Sequence, residues 1–245
     1  MSTLTGFTDS LVAARRSGVP FTPGGSLPES TAEAYKVQQV VADAFGETGA
    51  FKVATQGAAP AVFAPIRADH CFPLGAEVAM PRLGVELEVG WLVTSPLPDP
   101  DGPDLRAQLV RAVRPVPVIE LLERRIAGPL ADVPVIKLAD GLLNWGLVVG
   151  SPLANWDGKD FGKLSGSMRA SHHNLLDGKT TVPGGSALST LEAFLEVVGE
   201  HFGGLRVGQV VITGTLHPMT WIDANADVRG EIHGLGSVEF ALRSP

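Results

Sequence analysis

The sequence predicts an α+β fold in which a helical N-terminal section, residues 1–48, precedes a β-rich core, residues 49–245. Apolar residues recur at helical spacing mainly before Gly49. After it, short apolar runs alternate with turns, and the chain carries 29 glycines and 19 prolines to make them. No repeat or long linker divides these 245 residues, so we predict a single domain spanning 1–245.

Two helices are predicted in the N-terminal section. The first spans Thr8 to Arg16. The second begins at a capping-box pattern, Ser30-Thr31-Ala32-Glu33, and Gly46 is expected to end it. Its apolar face is formed by Ala34, Val37, Val41 and Ala44.

The clearest strand of the predicted core runs from Val85 to Thr94. Its odd-numbered residues from Val85 to Val93 are apolar and point to one face, whereas Glu86 and Glu88 point to the other. Further strands are predicted at Phe51–Ala54, Val116–Leu122, Gly146–Gly150, Val207–Thr213 and Val238–Leu242.

Two later helices are predicted, and the prolines near residue 116 restrict where one of the strands can lie in the sheet. Asp104–Val113 is one helix, and an amphipathic segment from Leu188 to Phe202 is the other, stopped by Gly203-Gly204. Prolines flank the start of the 116–122 strand, and because proline cannot donate to a ladder, they limit this strand to an edge or a strand start.

Composition excludes several classes of function. The net charge is −7 and no basic block exceeds two residues, which argues against nucleic-acid binding. No run approaches the roughly 18 apolar residues that cross a membrane, and the N-terminus does not read as a signal peptide. A single cysteine, Cys71, permits no internal disulfide. These features predict a cytoplasmic protein.

Glu86 and Glu88 are the strongest local signal of chemistry. An i,i+2 pair on a strand places both carboxylates on one face, where their repulsion raises a pKa or demands a cation. Hard divalent ions such as Mg²⁺ prefer oxygen ligands. On spacing alone, a solvated strand face is the more common explanation for two such glutamates.

Two further charged residues lie in apolar surroundings. Glu120 interrupts the run PVPVIELL, where a buried carboxylate must find a partner; an edge position facing water or a salt bridge to Arg124 or Arg125 is the alternative. Lys52 lies in the apolar segment GAFKVAT, where a lysine acts as an acid or base if its pKa is lowered, and otherwise simply reaches solvent.

Taken in order, several segments resemble those of the 2-keto-4-pentenoate hydratase and 4-oxalocrotonate decarboxylase family, within the fumarylacetoacetate hydrolase superfamily. The resemblance covers essentially the whole chain. It rests on GAFKVAT, VELEVGWLV, VIELLERRI, LADGLLNWGLVVG, LRVGQVVITGTL and GLGSVEFAL. It implies a mixed β-roll core of the fumarylacetoacetate hydrolase C-terminal type behind the N-terminal helical section.

The resemblance also implies the roles of particular residues. It implies an Mg²⁺ or Mn²⁺ site held by Glu86, Glu88 and Glu120, with Lys52 as the catalytic acid–base. It further implies that Asp140, from the family's ADN segment, and Thr215, from its TGS segment, bind the substrate. The sequence departs from the family at Val62, where an acid is expected near the lysine. It departs again at Gly141–Asn144, where small polar residues are largely replaced by apolar ones.

The function implied is that of a lyase, a hydratase acting on a 2-hydroxy-2,4-dienoate or 2-oxo-4-enoate through a metal-chelated enolate. Three alternatives remain open: decarboxylation of a 2-oxo-3-enedioate, C–C hydrolysis or tautomerisation on the same scaffold, and a non-catalytic partner subunit. The resemblance also implies a homo-oligomer, with or without a pathway enzyme bound. Hydrolysis requires a His-Glu pair, and His70 is the only histidine before Glu86.

Overall fold

The computed structural model describes residues 4–57 and 59–245, which form helices and two mixed sheets. The α-helices are α1 (Thr5–Ser17), α2 (Thr31–Asp43), α3 (Leu105–Ala112), α4 (Pro134–Ala139) and α5 (Ala187–Val198). The strands before α4 are β1 (Thr48–Gln56), β2 (Ala59–Arg67), β3 (Cys71–Pro73), β4 (Glu77–Ala79), β5 (Arg82–Val93) and β6 (Val113–Leu122). The later strands are β7 (Asn144–Val149), β8 (Lys163–Ala170), β9 (His173–Thr181), β10 (Val210–Thr215), β11 (Thr220–Asp223), β12 (Ala226–Ile232) and β13 (Gly236–Arg243).

The larger sheet has eight strands, and β5 lies at its middle. The order is β2-β1-β10-β5-β6-β7-β3, with β11 pairing the first half of β5 beside the end of β10. The smaller sheet has the order β4-β13-β12-β8-β9. The α+β class, with N-terminal helices and a mixed β core, is confirmed.

The two sheets pack through the apolar face of β5. Leu87 is buried against β12, where a Cβ at Gly230 would lie 2.5 Å from Leu87 Cδ1, so only glycine permits this approach. The opposite face of β5 is buried as well. There, Gly90 lies against Val116, Val118 and Val210, and its neighbours on that face are Glu86 and Glu88. The two glutamates therefore do not lie on a solvated strand face.

The helices cover the larger sheet from two directions. In α5, Phe194 packs on the rings of Phe51 and Phe63 in the first two strands. At the other side, α1 and α2 join α4 in a separate apolar cluster. Ser30 caps α2 by accepting a hydrogen bond from the Glu33 amide, and the Glu33 carboxylate accepts one from the Glu29 amide. Within the described residues, no helix is long and apolar enough to cross a membrane.

Of the two positions predicted for the 116–122 strand, an edge or a strand start, the edge is wrong, because β6 pairs β5 on one side and β7 on the other. The two prolines lie in the first half of β6, which begins at Val113. Pro115 and Pro117 are accommodated because β7 ends at Val149. On the side of β6 that faces β7, the carbonyls of Pro115 and Pro117 accept hydrogen bonds from the amides of Leu153 and Gly150, which follow the end of β7. The missing amide hydrogens thus fall where no ladder partner exists.

Several element boundaries also differ from the predicted ones. The second helix ends at Asp43 rather than at Gly46. The strand expected from Val207 begins at Val210, because Gly208 adopts a positive φ of 91° in a turn. The sequence patterns did not indicate β2, β3, β4, β8, β9, β11 or β12. In β8 and β9, small and charged residues interrupt the apolar alternation.

Candidate metal centre

Three carboxylates meet where β5 and β6 pair. Glu86 stands directly opposite Glu120 in the antiparallel register, and Glu88 follows two residues later on the same face. Each offers an oxygen, and these three oxygens lie within 4.8 Å of one another. Glu88 and Glu120 are fully buried and Glu86 is 9% exposed. The sequence-predicted ligands are thus brought together in one buried cluster.

Lys52 enters this cluster from β1. Its Nζ donates a hydrogen bond to Glu120 Oε2 at 2.6 Å and lies 3.6 Å from Glu86 Oε2. Burial by itself would lower the pKa of Lys52, but Glu120, Glu86 and Glu88 outweigh it and hold this pKa above its ordinary value. Lys52 is therefore a cation that faces three acids.

One lysine does not neutralise three carboxyl groups. Burial, with the repulsion of Glu120, raises the pKa of Glu86 to about 7 despite the opposing effect of Lys52. Burial and Glu120 together also raise the pKa of Glu88 well above its ordinary value. Glu88 Oε1 is buried and accepts no hydrogen bond from the described residues. Three oxygen donors, two carboxyl groups whose ionised forms lack enough nearby positive charge, and an unsatisfied buried oxygen are features that a hard divalent cation would satisfy.

The remaining carboxylate oxygens are held by neutral donors. The Gly214 amide donates to Glu88 Oε2 at 2.6 Å, and Asn144 Nδ2 donates to Glu120 Oε1 at 2.8 Å. These bonds fix the orientation of two of the three carboxylates. Such supporting contacts are typical of metal sites, because they hold ligands in place before the ion binds.

Asp140 and Thr215, the predicted substrate-binding residues, each make a side-chain hydrogen bond within the protein. Asp140 Oδ2, like Glu88 Oε1, is buried and has no hydrogen-bond partner among the described residues. Asp140 is fully buried, and its Oδ1 accepts from Arg125 Nε at 2.6 Å. Thr215 stands opposite Glu88 in register, but its hydroxyl donates to the His217 carbonyl at 2.6 Å. Their assignment as substrate-binding residues stays a prediction from the resemblance.

A cleft of about 750 Å³ gives access to Lys52. Val62, at the position of the expected acid, lines it, as do Lys137 of α4 and Leu142. Sequence reasoning missed Lys137, because a single lysine in the segment VPVIKLAD carries no pattern that distinguishes it from a surface residue. A larger groove of about 880 Å³, beside Trp156, contains none of the predicted site residues. The cleft at Lys52 is therefore the candidate substrate site.

The raised pKa of Glu86 predicts how the metal-free protein responds to pH. A carboxyl group that keeps its proton to about pH 7 in the folded state, but only to about 4.5 when unfolded, makes folding less favourable as pH rises through this window. We expect the melting temperature of the protein in EDTA to fall from pH 5 to pH 8, and to fall less in Glu86→Gln. Equal slopes for wild type and variant, measured by calorimetry, would contradict the assigned pKa.

Comparison with known proteins gives structural matches only. No protein-family model matches the sequence, and no curated protein does. The fold is similar to that of 4-oxalocrotonate decarboxylase from Pseudomonas putida G7, solved with magnesium and adipate, with a TM-score of 0.74, 17% identity, and coverage of 96% of this chain and 95% of that chain. The calcium and acetate complex of that decarboxylase gives a TM-score of 0.76 at 18% identity, with the same coverage.

A second kind of enzyme shares the fold at lower similarity. Fumarylpyruvate hydrolase from Pseudomonas aeruginosa, solved with Mn²⁺ and pyruvate, gives a TM-score of 0.60 at 15% identity, covering 82% of this chain and 91% of that chain. At these identities the likeness concerns the fold. The chain therefore has the fold of these decarboxylase and hydrolase structures, as its resemblance to the fumarylacetoacetate hydrolase superfamily implied.

Proposed function

We propose that this protein is a divalent-metal-dependent enzyme acting on a small 2-oxo or 2-hydroxydienoic acid, with hydration of a 2-hydroxy-2,4-dienoate as its reaction. One observation carries the proposal. Three buried carboxylates with an unsatisfied oxygen adjoin a lysine that opens into a cleft. Structures with this fold contain Mg²⁺, Ca²⁺ or Mn²⁺ together with a small carboxylic acid.

Glu86, Glu88 and Glu120 would hold Mg²⁺ or Mn²⁺. When bound, such an ion supplies positive charge that stabilises the enolate oxygen of a 2-oxo acid. The carboxylates themselves orient the ion, and the Asn144 and Gly214 donors keep two of them fixed. The cleft is lined by two cations, Lys52 and Lys137, and by two acids, Glu29 and Asp132. An anionic substrate would bind through the two lysines.

Lys52 is proposed to carry the proton between the enol and the substrate carbon. In the metal-free site its pKa is raised by the carboxylates, and that influence weakens once a divalent cation neutralises them. Desolvation, which lowers the pKa of a buried lysine, then acts with less opposition. In the metal-loaded site Lys52 would therefore have a pKa closer to the range that is useful for acid–base catalysis.

Decarboxylation of a 2-oxo-3-enedioate is the second candidate. It shares the enolate, and it is favoured by the fold match to a decarboxylase over 96% of this chain and by Lys137, a second cation for a second carboxylate. Product analysis with 2-hydroxypenta-2,4-dienoate and with 4-oxalocrotonate separates the two. Formation of carbon dioxide from the latter without hydration of the former would replace the hydratase proposal.

Hydrolysis is less well supported by the described residues. His70 Nδ1 hydrogen-bonds to the Trp145 carbonyl and its ring packs on the Trp145 indole. His217 accepts a hydrogen bond from the Leu87 amide. Neither is paired with a glutamate as a water-activating base would be. A non-catalytic partner subunit is the remaining alternative, and a failure of the isolated chain to bind Mg²⁺ or Mn²⁺ would favour it.

Proton exchange at C3 of a 2-oxo acid tests the proposed chemistry without requiring the full reaction. We expect NMR in D₂O to show exchange that requires Mg²⁺ or Mn²⁺ and disappears in Lys52→Ala. Hydration is expected to be slower than exchange, because Val62 stands where an acid would help position water. Absence of metal-dependent exchange with several short 2-oxo acids would overturn the proposal in favour of the partner-subunit alternative.

A further inference from the structure

A strained loop connects α4 to the candidate metal centre. Gly141, Leu142 and Leu143 have consecutive positive φ angles of 68°, 56° and 67°. For leucine this left-handed conformation is strained, because its Cβ lies too close to the following carbonyl oxygen. Such a conformation persists only where surrounding contacts enforce it, and it is concentrated at functional sites.

Two arginines, Arg125 buried and Arg15 half-buried, hold Asp140 at the entry to this loop. Arg125 is 1% exposed; its Nε donates to Asp140 Oδ1 at 2.6 Å and its Nη2 donates to the Asp140 carbonyl at 3.0 Å. Arg15 also donates to the Asp140 carbonyl at 3.0 Å. The third arm of Arg125, Nη1, lies 3.2 Å from Glu123 Oε2. Asp140 thus enters the loop with its side chain and its backbone both fixed.

On its other side the loop contacts the metal centre twice. The Leu142 carbonyl accepts from Lys52 Nζ at 3.4 Å, and the side-chain Nδ2 of Asn144, the residue after the loop, donates to Glu120 Oε1. The Leu143 carbonyl between them accepts from the Glu123 amide at 3.0 Å, which ties the loop to the end of β6. A displacement of Asp140 would therefore move both the lysine contact and the support of one carboxylate.

We propose that Arg125 is a positioning residue for the metal centre, acting through Asp140 and the left-handed loop 141–143 on Asn144 and Glu120. This positioning role rests on the proposed function, because its test measures the affinity for a divalent metal. It gives Asp140 a positioning role through Oδ1, which accepts from Arg125, beside the substrate-binding role implied by the resemblance; Asp140 Oδ2 has no partner among the described residues. Lysine at position 125 keeps the charge but cannot bridge Asp140 and Glu123 together.

A double-mutant cycle on Mn²⁺ affinity tests the path. We expect Arg125→Lys and Asn144→Ala each to weaken Mn²⁺ binding about tenfold, as changes in supporting contacts of metal ligands do. If Arg125 acts through Asn144, the double variant should lose little more than either single variant, far from the roughly hundredfold product. Losses that multiply, or an unchanged affinity in folded Arg125→Lys, would overturn the proposal.

Three controls keep the outcomes separate. Leu109→Ala removes a buried side chain of α3 and should lower the stability of the protein without changing its Mn²⁺ affinity. If Leu109→Ala weakened Mn²⁺ binding as much as Arg125→Lys does, the effect of Arg125 would be one of general stability, and the proposal would be overturned. Should Arg125→Lys fail to fold, Asp140→Asn replaces it in the same cycle, with the same criterion. Glu88→Gln tests the proposed function itself, because it should weaken Mn²⁺ binding by more than about a hundredfold, beyond the loss in either supporting variant.

A measurement on the metal-free protein tests the positioning role if the wild-type protein does not bind Mn²⁺. If the wild-type protein binds no Mn²⁺, the proposed function fails independently of Arg125. The side-chain amide resonances of Asn144 in metal-free protein then decide the positioning role. They are expected to shift in Arg125→Lys or Asp140→Asn, and unchanged resonances would overturn the proposal.

Discussion

Glu88→Gln is expected to weaken Mg²⁺ binding by more than about a hundredfold, beyond what the loss of a supporting contact costs, because it removes a charged oxygen ligand from a set of three. Turnover should fall with it. The same variant should make the metal-free protein more stable at neutral pH. A buried carboxyl whose pKa is raised well above normal is unfavourable when ionised, and glutamine still offers an acceptor to the Gly214 amide.

Calorimetric titration with Mg²⁺ and thermal denaturation in EDTA measure the two effects on one preparation. Glu86→Gln and Glu120→Gln should also weaken binding, since their oxygens complete the cluster. Glu239→Gln is the matched control, because this exposed glutamate pairs with Arg229 on the smaller sheet. Unchanged Mg²⁺ affinity in all three site variants would show that the metal centre is misplaced.

Lys52→Met should reduce turnover by roughly 10²–10⁴, the usual range for losing a general acid–base. Mg²⁺ affinity is expected to stay the same or increase, because the variant removes a cation that lies 2.6 Å from Glu120 and 3.6 Å from Glu86. Methionine keeps most of the volume of the buried stem, so the fold should be retained. The separation of turnover from metal affinity distinguishes a proton-transfer residue from a ligand.

Steady-state kinetics and Mg²⁺ titration are sufficient for this test. Lys163→Met provides the control, since Lys163 lines the larger groove away from the carboxylates. A Lys52 variant with near wild-type turnover would remove Lys52 from the mechanism. A variant that loses Mg²⁺ binding together with turnover would instead give Lys52 a structural role in the carboxylate cluster.

The residues of the candidate metal centre could be predicted because strand geometry is simple. The i,i+2 spacing of Glu86 and Glu88 fixes them on one face at any register. Glu120 required more, since its place opposite Glu86 depends on the β5–β6 register, which the sequence does not encode locally. The resemblance to a known family supplied that long-range information. The apolar run around Glu120 supplied only the expectation of a partner.

Other features depend on contacts between distant segments. The ion pair of Arg125 with Asp140 joins the end of β6 to the residue after α4, and no local pattern distinguishes it from the Arg124–Asp132 pair near the surface. The prolines of β6 left an edge position and a strand start open, because proline content is a local rule, whereas the end of β7 decides whether an amide hydrogen is needed. Likewise, no sequence pattern indicates that Leu142 and Leu143 adopt the left-handed conformation.

A crystal structure with Mn²⁺ and a short 2-oxo acid tests the central claim most directly, because anomalous scattering identifies the ion. We expect a single strong peak within about 2.0–2.3 Å of oxygens from Glu86, Glu88 and Glu120, near the distances usual for hard divalent ions. The 2-oxo acid should lie in the cleft beside Lys52. An ion bound elsewhere, or a cluster in which Lys52 keeps its contact with Glu120 and no peak is present at saturating Mn²⁺, would contradict the account.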